Sequence, residues 1–133
     1  AHDLDISFTY IGRFPDEHSA NGLEVIGPKD VNFLKKSLPS FDVYLTASMY
    51  EAGANHVLEG LASGLPVIYR DTGGSIPEYA SQYGLEFKDL KTLVLCIESM
   101  RRNFKTFKKK SLSFSSNFND TIQRYVDIIL CES

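Results

Sequence analysis

The stretch EAGANHVLEGLASGLPV, residues 51–67, decides the fold of this 133-residue chain. Its apolar residues recur at helical spacing over about 55–63, and a glycine and a proline then end the helix. A buried strand, DVYLTA at 42–47, precedes the stretch, and a second strand over 66–69 closes it. The stretch therefore predicts a strand–loop–helix–strand unit with two parallel strands.

The rest of the chain continues this alternation of strands and helices. Strands that alternate with helices predict a Rossmann-like α/β domain with a parallel sheet and flanking helices. At this length we expect a single domain over 1–133, in which 101–118 is a basic, Ser-rich helix end and linker before a C-terminal helix. The predicted strands cover 5–11, 23–26, 42–47, 66–69 and 85–87, and the predicted helices cover 31–38, 55–63, 76–81, 90–104 and 119–131.

The loops that follow the strands are the expected binding edge. Open parallel sheets bind their ligands beyond the carboxyl ends of the strands. The loops after Ile11, Ile26, Ala47 and Tyr69 are therefore expected to share one edge.

Two carboxylates at this edge, Glu51 and Glu59, are separated by seven residues. Carboxylates accept hydrogen bonds from the hydroxyls of a sugar or a ribose. Between them, Gly53, Ala54 and Asn55 mark a helix N-terminus, where small residues let phosphate approach free backbone N–H groups. The stretch reads as a site for a nucleotide-linked sugar. The alternative is a solvated loop acid and a surface helix residue.

Composition excludes some classes of function. The formal net charge of −3 argues against nucleic-acid binding, which usually needs a basic surface. No apolar run approaches the ~18 residues of a membrane span. The two cysteines, Cys96 and Cys131, fall in separate helical patterns and are expected to be buried thiols, which favours a reducing, cytoplasmic setting.

Residues 45–79 resemble the donor-binding pattern of glycosyltransferase family 4 and its relatives with the GT-B fold. That pattern is a strand ending in a small residue and Ser, two Glu separated by seven residues, a helix, Gly-x-Pro-Val, a strand, and Gly-Gly followed by Glu. In this chain it reads Ala47-Ser48, Glu51, Glu59, Gly64-Leu65-Pro66-Val67, Gly73-Gly74 and Glu78.

The resemblance implies a role for each residue of the site. Glu51 would contact hydroxyls of the transferred sugar, and Glu59 would hold the ribose. Backbone amides around Gly53, Ala54 and Asn55 would face the sugar and the diphosphate. Family members generally transfer with retention and need no metal or other cofactor, and no catalytic residue is assigned within this chain.

The residues after Ala54 depart from the family pattern. Asn55 and His56 stand where many members have apolar residues. They are expected to add side-chain contacts to donor phosphate or sugar, and the alternative is that His56 faces solvent in the first helical turn. No metal site is expected, since His2, His18 and His56 lack ligand spacing.

A second departure concerns the first strand. Family members carry basic residues after that strand, which neutralise the diphosphate. Too few residues separate Arg13 from Glu51 for Arg13 to take that place, so we expect Arg13 to lie at the rim of the site. The first strand and the acceptor-binding half are then expected upstream of Ala1, and the chain alone should be loosely packed.

The resulting interpretation is the C-terminal, donor-binding half of a retaining, metal-independent glycosyltransferase, of the kind found in polysaccharide biosynthesis. The expected partners are a nucleotide-sugar donor and the upstream half. The alternatives are a non-catalytic nucleotide-sugar-binding module and a sugar-nucleotide epimerase on the same fold. The basic run Arg101–Lys110, with two interleaved phenylalanines, suggests either a solvated helix end or a weak contact with an anionic membrane, peripheral to a cytoplasmic protein.

Overall fold

The computed structural model describes residues 5–15, 21–114 and 130. Contacts divide the chain into two compact units, Ala1–Ser37 and Leu38–Ser133. Both units are built from parallel strands and helices, which confirms the predicted α/β class. The single domain expected over 1–133 stays a prediction.

The first unit is a parallel pair of strands followed by a helix. Strands β1 (Phe8–Ile11) and β2 (Leu23–Ile26) pair in parallel, and helix α1 covers Val31–Ser37. Asp30 caps the helix, because its Oδ1 accepts the Phe33 N–H at 2.8 Å. No residue of these three elements is buried, so within the described residues the unit has no core of its own.

The second unit contains a three-stranded parallel sheet in the order β3-β4-β5. A helix follows each strand, as the alternation in the sequence predicts. A short 3₁₀ turn, Leu38–Ser40, leads into the first of these strands. The elements are β3 (Tyr44–Thr46), α2 (Asn55–Ala62), β4 (Val67–Arg70), α3 (Ile76–Ala80), β5 (Gly84–Phe87) and α4 (Leu90–Arg102).

The central strand β4 is buried on both faces. Its Val67 and Tyr69 pack with α2 and α3, whereas Ile68 packs on the opposite side with Phe87 and with Met100 of α4. Side chains alternate across a strand, so one short apolar run supplies both cores. These cores hold β4 at the centre of the sheet and fix where α2 begins.

The described part of the segment 101–118, residues 101–114, differs from the predicted helix end and linker, because residues 104–114 form a further helix, α5. Phe107 and Phe114 each pack against one of the two cores, and Ser111 between them is fully buried. These three positions recur at helical spacing, a pattern that the surrounding lysines obscure. Phe107, one of the two phenylalanines in the basic run, is partly buried and packs against the core, and contact of the run with a membrane stays a prediction.

Two further predictions fall outside the part of the chain that the structure describes. These are the C-terminal helix over 119–131, except for residue 130, and Cys131. Cys96 is a free thiol whose Sγ lies 3.3 Å from the Glu86 carbonyl oxygen. Within the described residues, no helix has both the length and the apolar character needed to cross a membrane.

Candidate functional site

The candidate site lies in the second unit, where the loop after β3 meets the loop after β4. Three backbone contacts tie the two loops together. The Tyr50 N–H donates to the Thr72 carbonyl at 2.7 Å, and the Ser75 N–H donates to the Glu51 carbonyl at 3.0 Å. The Ser75 hydroxyl also lies 3.1 Å from the Ala52 carbonyl oxygen, so the backbone of Glu51 is held on the sheet edge.

Gly74 makes this close approach of the two loops feasible. Its φ is +70°, a left-handed conformation that side chains disfavour. A Cβ atom at this position would overlap the backbone of Glu51. The Gly-Gly of the sequence pattern is thus a packing requirement for the loop that carries Glu51.

Tyr50, directly before Glu51, stores backbone strain. Its φ is 57°, which is an outlier for an aromatic residue. The side chain is 79% exposed, so core packing does not explain this conformation. Strain of this kind, of order 1–3 kcal/mol, is typical of loops that present functional groups. The next residue, Glu51, contacts His56 of helix α2.

A chain of three side chains begins at Glu51. The His56 Nε2 atom lies 3.0 Å from the Glu51 Oε2 atom. The other ring nitrogen of His56, Nδ1, lies 3.0 Å from the hydroxyl of Tyr44 on β3. The side chains of His56 and Glu51 are 36% and 30% exposed, so solvent still reaches the carboxylate.

The surroundings shift the pKa values of Glu51 and Tyr44 in opposite directions. The hydrogen bond with His56, helped by one from Ser48, holds the pKa of Glu51 below its usual value. Burial raises the pKa of Tyr44 to about 12, with further contributions from the charges of Glu59 and Glu51. At neutral pH, Glu51 is therefore a carboxylate and Tyr44 is a neutral phenol.

The electrostatic effect on Tyr44 brings the second predicted acid into the same neighbourhood. The charges of Glu59 and Glu51 both raise the pKa of this one phenol, so both carboxylates lie within electrostatic range of Tyr44. Gly60, the next residue after Glu59, lets the Tyr44 ring lie directly on helix α2. A Cβ atom at Gly60 would come within 2.7 Å of two Tyr44 ring atoms.

The N-terminus of α2 opens beside Glu51. Ala54, at the N-cap, is buried, and no side chain among the described residues caps this end of the helix. Gly53 faces open space, since an added Cβ would meet nothing within 4 Å. Asn55 is exposed at the first helical position. This geometry suits an anionic group that accepts hydrogen bonds from backbone N–H groups.

The second unit brings together all six predicted site residues, from Glu51 to Glu59. Arg13, Gly27 and Pro28 belong to the first unit, where the ends of β1 and β2 meet through a bond from the Gly12 N–H to the Ile26 carbonyl at 2.9 Å. That all four loops share one edge stays a prediction.

Three residues of the site have no place in the sequence prediction. Tyr44 reads as an ordinary strand residue, and Tyr50 as a loop aromatic. Ser75 lies 24 residues from Glu51 in sequence, so no local spacing connects them. The sequence offers only a weak signal for Tyr44: an aromatic residue with a hydroxyl group in β3, and a glycine in α2 against which its ring can pack.

As for metals, the described residues contain no group of three or more His, Cys, Asp or Glu that could hold an ion.

Comparisons with known proteins give a match at the level of the fold. No protein-family model matches this chain, and no curated protein sequence matches it. Among solved structures, the chain is similar to the crystal structure of the pneumococcal O-GlcNAc transferase GtfA in complex with UDP and GlcNAc, with a TM-score of 0.57 and 17% sequence identity. The match covers 83% of this chain and 25% of that one. The chain thus spans about a quarter of its neighbour's length, and it has a fold similar to half of a GT-B glycosyltransferase.

Proposed function

We propose that this chain is the donor-binding half of a glycosyltransferase and binds a nucleotide-activated sugar at the edge formed by the loop after β3 and the start of α2. The observation that carries the proposal is the Glu51 carboxylate, held by His56 beside an uncapped helix N-terminus, with Glu59 exposed one turn along the same helix. The similarity in fold to a glycosyltransferase supports it.

Each part of a nucleotide sugar has a chemically suitable partner in this arrangement. Glu51, ionised and partly exposed, accepts hydrogen bonds from the sugar hydroxyls. Glu59, exposed one turn along α2, accepts those of the ribose. The diphosphate lies over the backbone at Gly53, Ala54 and Asn55, where the helix dipole favours negative charge.

In this proposal, transfer needs a second half that holds the acceptor. The chain supplies donor positioning and helps to stabilise the departing diphosphate through the N-terminus of α2. The reaction is proposed to proceed with retention and without a metal ion, as the family resemblance implies. Contact with an anionic membrane, if made, involves the exposed cations of the run Arg101–Lys110, since Phe107 packs inward.

A non-catalytic nucleotide-sugar-binding module is the second candidate. It uses the same residues, and the similarity in fold supports a nucleotide-sugar site without bearing on transfer. The two candidates differ in whether labelled sugar is transferred once an acceptor-binding half is supplied. An epimerase would instead interconvert nucleotide sugars with no acceptor present.

Calorimetric titration tests the binding proposal. UDP, GDP, UDP-glucose, UDP-N-acetylglucosamine and GDP-mannose are each titrated into the chain and into the longer protein expected to contain it. Glu59→Gln should weaken binding of the preferred nucleotide by ~1.5–3 kcal/mol, the range for a hydrogen bond to a charged group. Free nucleotide and nucleotide sugar should lose the same amount, because the ribose is common to both.

Glu98→Gln is the matched control. Glu98 lies on α4, where it forms only a long ion pair of 3.7 Å with Arg102. Replacing it removes the same charge from the protein and should leave affinity unchanged. If the folded protein binds no nucleotide, or if both variants lose affinity equally, the assignment of the donor site is wrong.

A further inference from the structure

The side chain of His56 has both of its ring nitrogens engaged within the protein. Nδ1 lies 3.0 Å from the Tyr44 hydroxyl, and Nε2 lies 3.0 Å from Glu51 Oε2. A histidine that contacts a donor phosphate directly would need one of these nitrogens free. The geometry therefore does not suit the direct ligand contact expected from the sequence.

The chemistry of the groups that His56 contacts, the Glu51 carboxylate and the Tyr44 hydroxyl, sets the direction of both hydrogen bonds. The Glu51 carboxylate can only accept, so Nε2 of His56 carries the proton that points at it. With the ring proton of a neutral imidazole on Nε2, Nδ1 is an acceptor. The neutral Tyr44 hydroxyl therefore donates to Nδ1. The hydroxyl donor of Tyr44 and the N–H donor of His56 thus each have an acceptor, so the three side chains hold one another in one arrangement.

We infer that His56 is a positioning residue: it fixes the Glu51 carboxylate in an orientation in which the carboxylate can still accept from a ligand hydroxyl, and Tyr44 fixes the His56 ring. This inference rests on the proposed function. His56 acts through Glu51 and makes no ligand contact of its own through its ring nitrogens.

The arrangement also defines the kind of group that meets Glu51. Oε2 accepts from His56 and the carboxylate also accepts from Ser48, and the four lone pairs of a carboxylate leave capacity for a further donor. An ionised carboxylate attracts hydroxyl donors and repels phosphate oxygens. The group that binds at Glu51 is therefore a neutral, hydroxyl-bearing ring such as a hexose, whereas the anionic part of the ligand binds over α2.

The packed elements β3 and α2, and not the loop that carries Glu51, hold the three side chains in place. Tyr44 extends from β3 and lies against Gly60 of α2. His56 occupies the first turn of the same helix. A side chain on a loop, Glu51, is thus fastened to two elements of the core, which is how a binding group is held in a productive geometry.

A double-mutant cycle tests whether His56 acts through Glu51. The ligands are the tightest-binding of UDP-glucose, UDP-N-acetylglucosamine and GDP-mannose, and the corresponding free diphosphate. His56→Ala and Glu51→Gln should each weaken nucleotide-sugar binding by about tenfold, and the double variant should be no weaker than Glu51→Gln alone. Affinity for the free diphosphate should stay unchanged in all three. Losses that multiply in the double variant, or a loss of diphosphate affinity with His56→Ala, would overturn the inference.

His56→Gln covers the case in which the alanine variant fails to fold. A glutamine amide can still donate to Glu51 but cannot reproduce the chain to Tyr44, so affinity should recover in part. If the double variant His56→Gln, Glu51→Gln recovers sugar affinity, His56 does not act through the Glu51 carboxylate and the inference is contradicted.

Nitrogen NMR of the imidazole ring separates failure of this inference from failure of the proposed function. Without any ligand, the folded wild type should show the Nε2–H tautomer, and Tyr44→Phe should convert this into a mixture. An Nδ1–H tautomer in the wild type overturns the inference, whatever the protein binds. Binding of no nucleotide, together with the expected tautomer, instead rejects the proposed function.

Discussion

Replacing Gly60 with alanine should separate the effect of helix propensity from that of tertiary packing. Gly60 lies inside α2, where alanine is normally more favourable by ~0.5–1 kcal/mol. However, the new Cβ would lie 2.7 Å from two atoms of the Tyr44 ring, and ordinary contact begins at 3.4 Å. The ring must therefore shift by at least the difference, 3.4 − 2.7 = 0.7 Å.

The packing penalty should exceed the gain in propensity. Inserting a methyl group into a well-packed core costs ~1–3 kcal/mol. After subtraction of the propensity term, we expect Gly60→Ala to lower the free energy of unfolding by ~1 kcal/mol. The shift also separates the Tyr44 hydroxyl from His56 Nδ1, now 3.0 Å away, so nucleotide-sugar affinity should also fall.

Urea unfolding followed by circular dichroism measures this change, and two variants control it. Gly53→Ala adds the same methyl group in open space and should alter stability by less than ~0.5 kcal/mol. In a Tyr44→Ala background the clash is absent, so Gly60→Ala should become stabilising by ~0.5–1 kcal/mol. If Gly60→Ala stabilises the unchanged protein by that amount, Tyr44 does not pack on α2 and the reasoning about the site is refuted.

Three further predictions follow from the same contacts. The pKa of Tyr44 is about 12 in the folded state and 10.0 for an ordinary tyrosine. The stability that the neutral Tyr44 phenol contributes is therefore present below pH 10 and is lost toward pH 12. The wild type should lose ~2 kcal/mol more than Tyr44→Phe over this interval in unfolding titrations. Gly74→Ala should destabilise the protein by at least ~1–2 kcal/mol, the cost of a left-handed residue alone, and equal stability of the two proteins would contradict the loop packing. In hydrogen exchange, amides of β1 and β2 should exchange well before those of β4, because the first unit buries no residue in its elements, and simultaneous exchange would reject two separate units.

The sequence predicts the elements of this fold well where the signal is local. Helix α2 and its end are legible from apolar spacing followed by Gly64 and Pro66, and Asp30 is legible as a helix cap. The helix over 104–114 is the main local miss. Its inward positions Phe107, Ser111 and Phe114 have the right spacing, but the basic residues around them dominate the composition.

The partners of the site residues are harder to predict because they are remote in the chain. Glu51 is evident from its spacing to Glu59, whereas its anchor Ser75 lies on a loop that follows another strand. Tyr44 is connected to His56 only through the register of β3 against α2. A single sequence contains the residues for both contacts, but no periodicity relates them.

The three-residue chain accounts for why polar residues stand at the start of α2, where the family pattern has apolar ones. A carboxylate on a loop loses conformational freedom when it binds a ligand, and this cost reduces affinity. Here Ser75 fixes the backbone of Glu51 and His56 fixes its carboxylate, so most of that freedom is lost on folding. The orientation of the Glu51 carboxylate depends on Tyr44 and Gly60. A substitution that changes the packing of α2 on β3 should therefore weaken sugar binding, although the substituted residue contacts no ligand. The same change should leave the phosphate position unaffected, since the backbone at Gly53 takes no part in the chain of side chains.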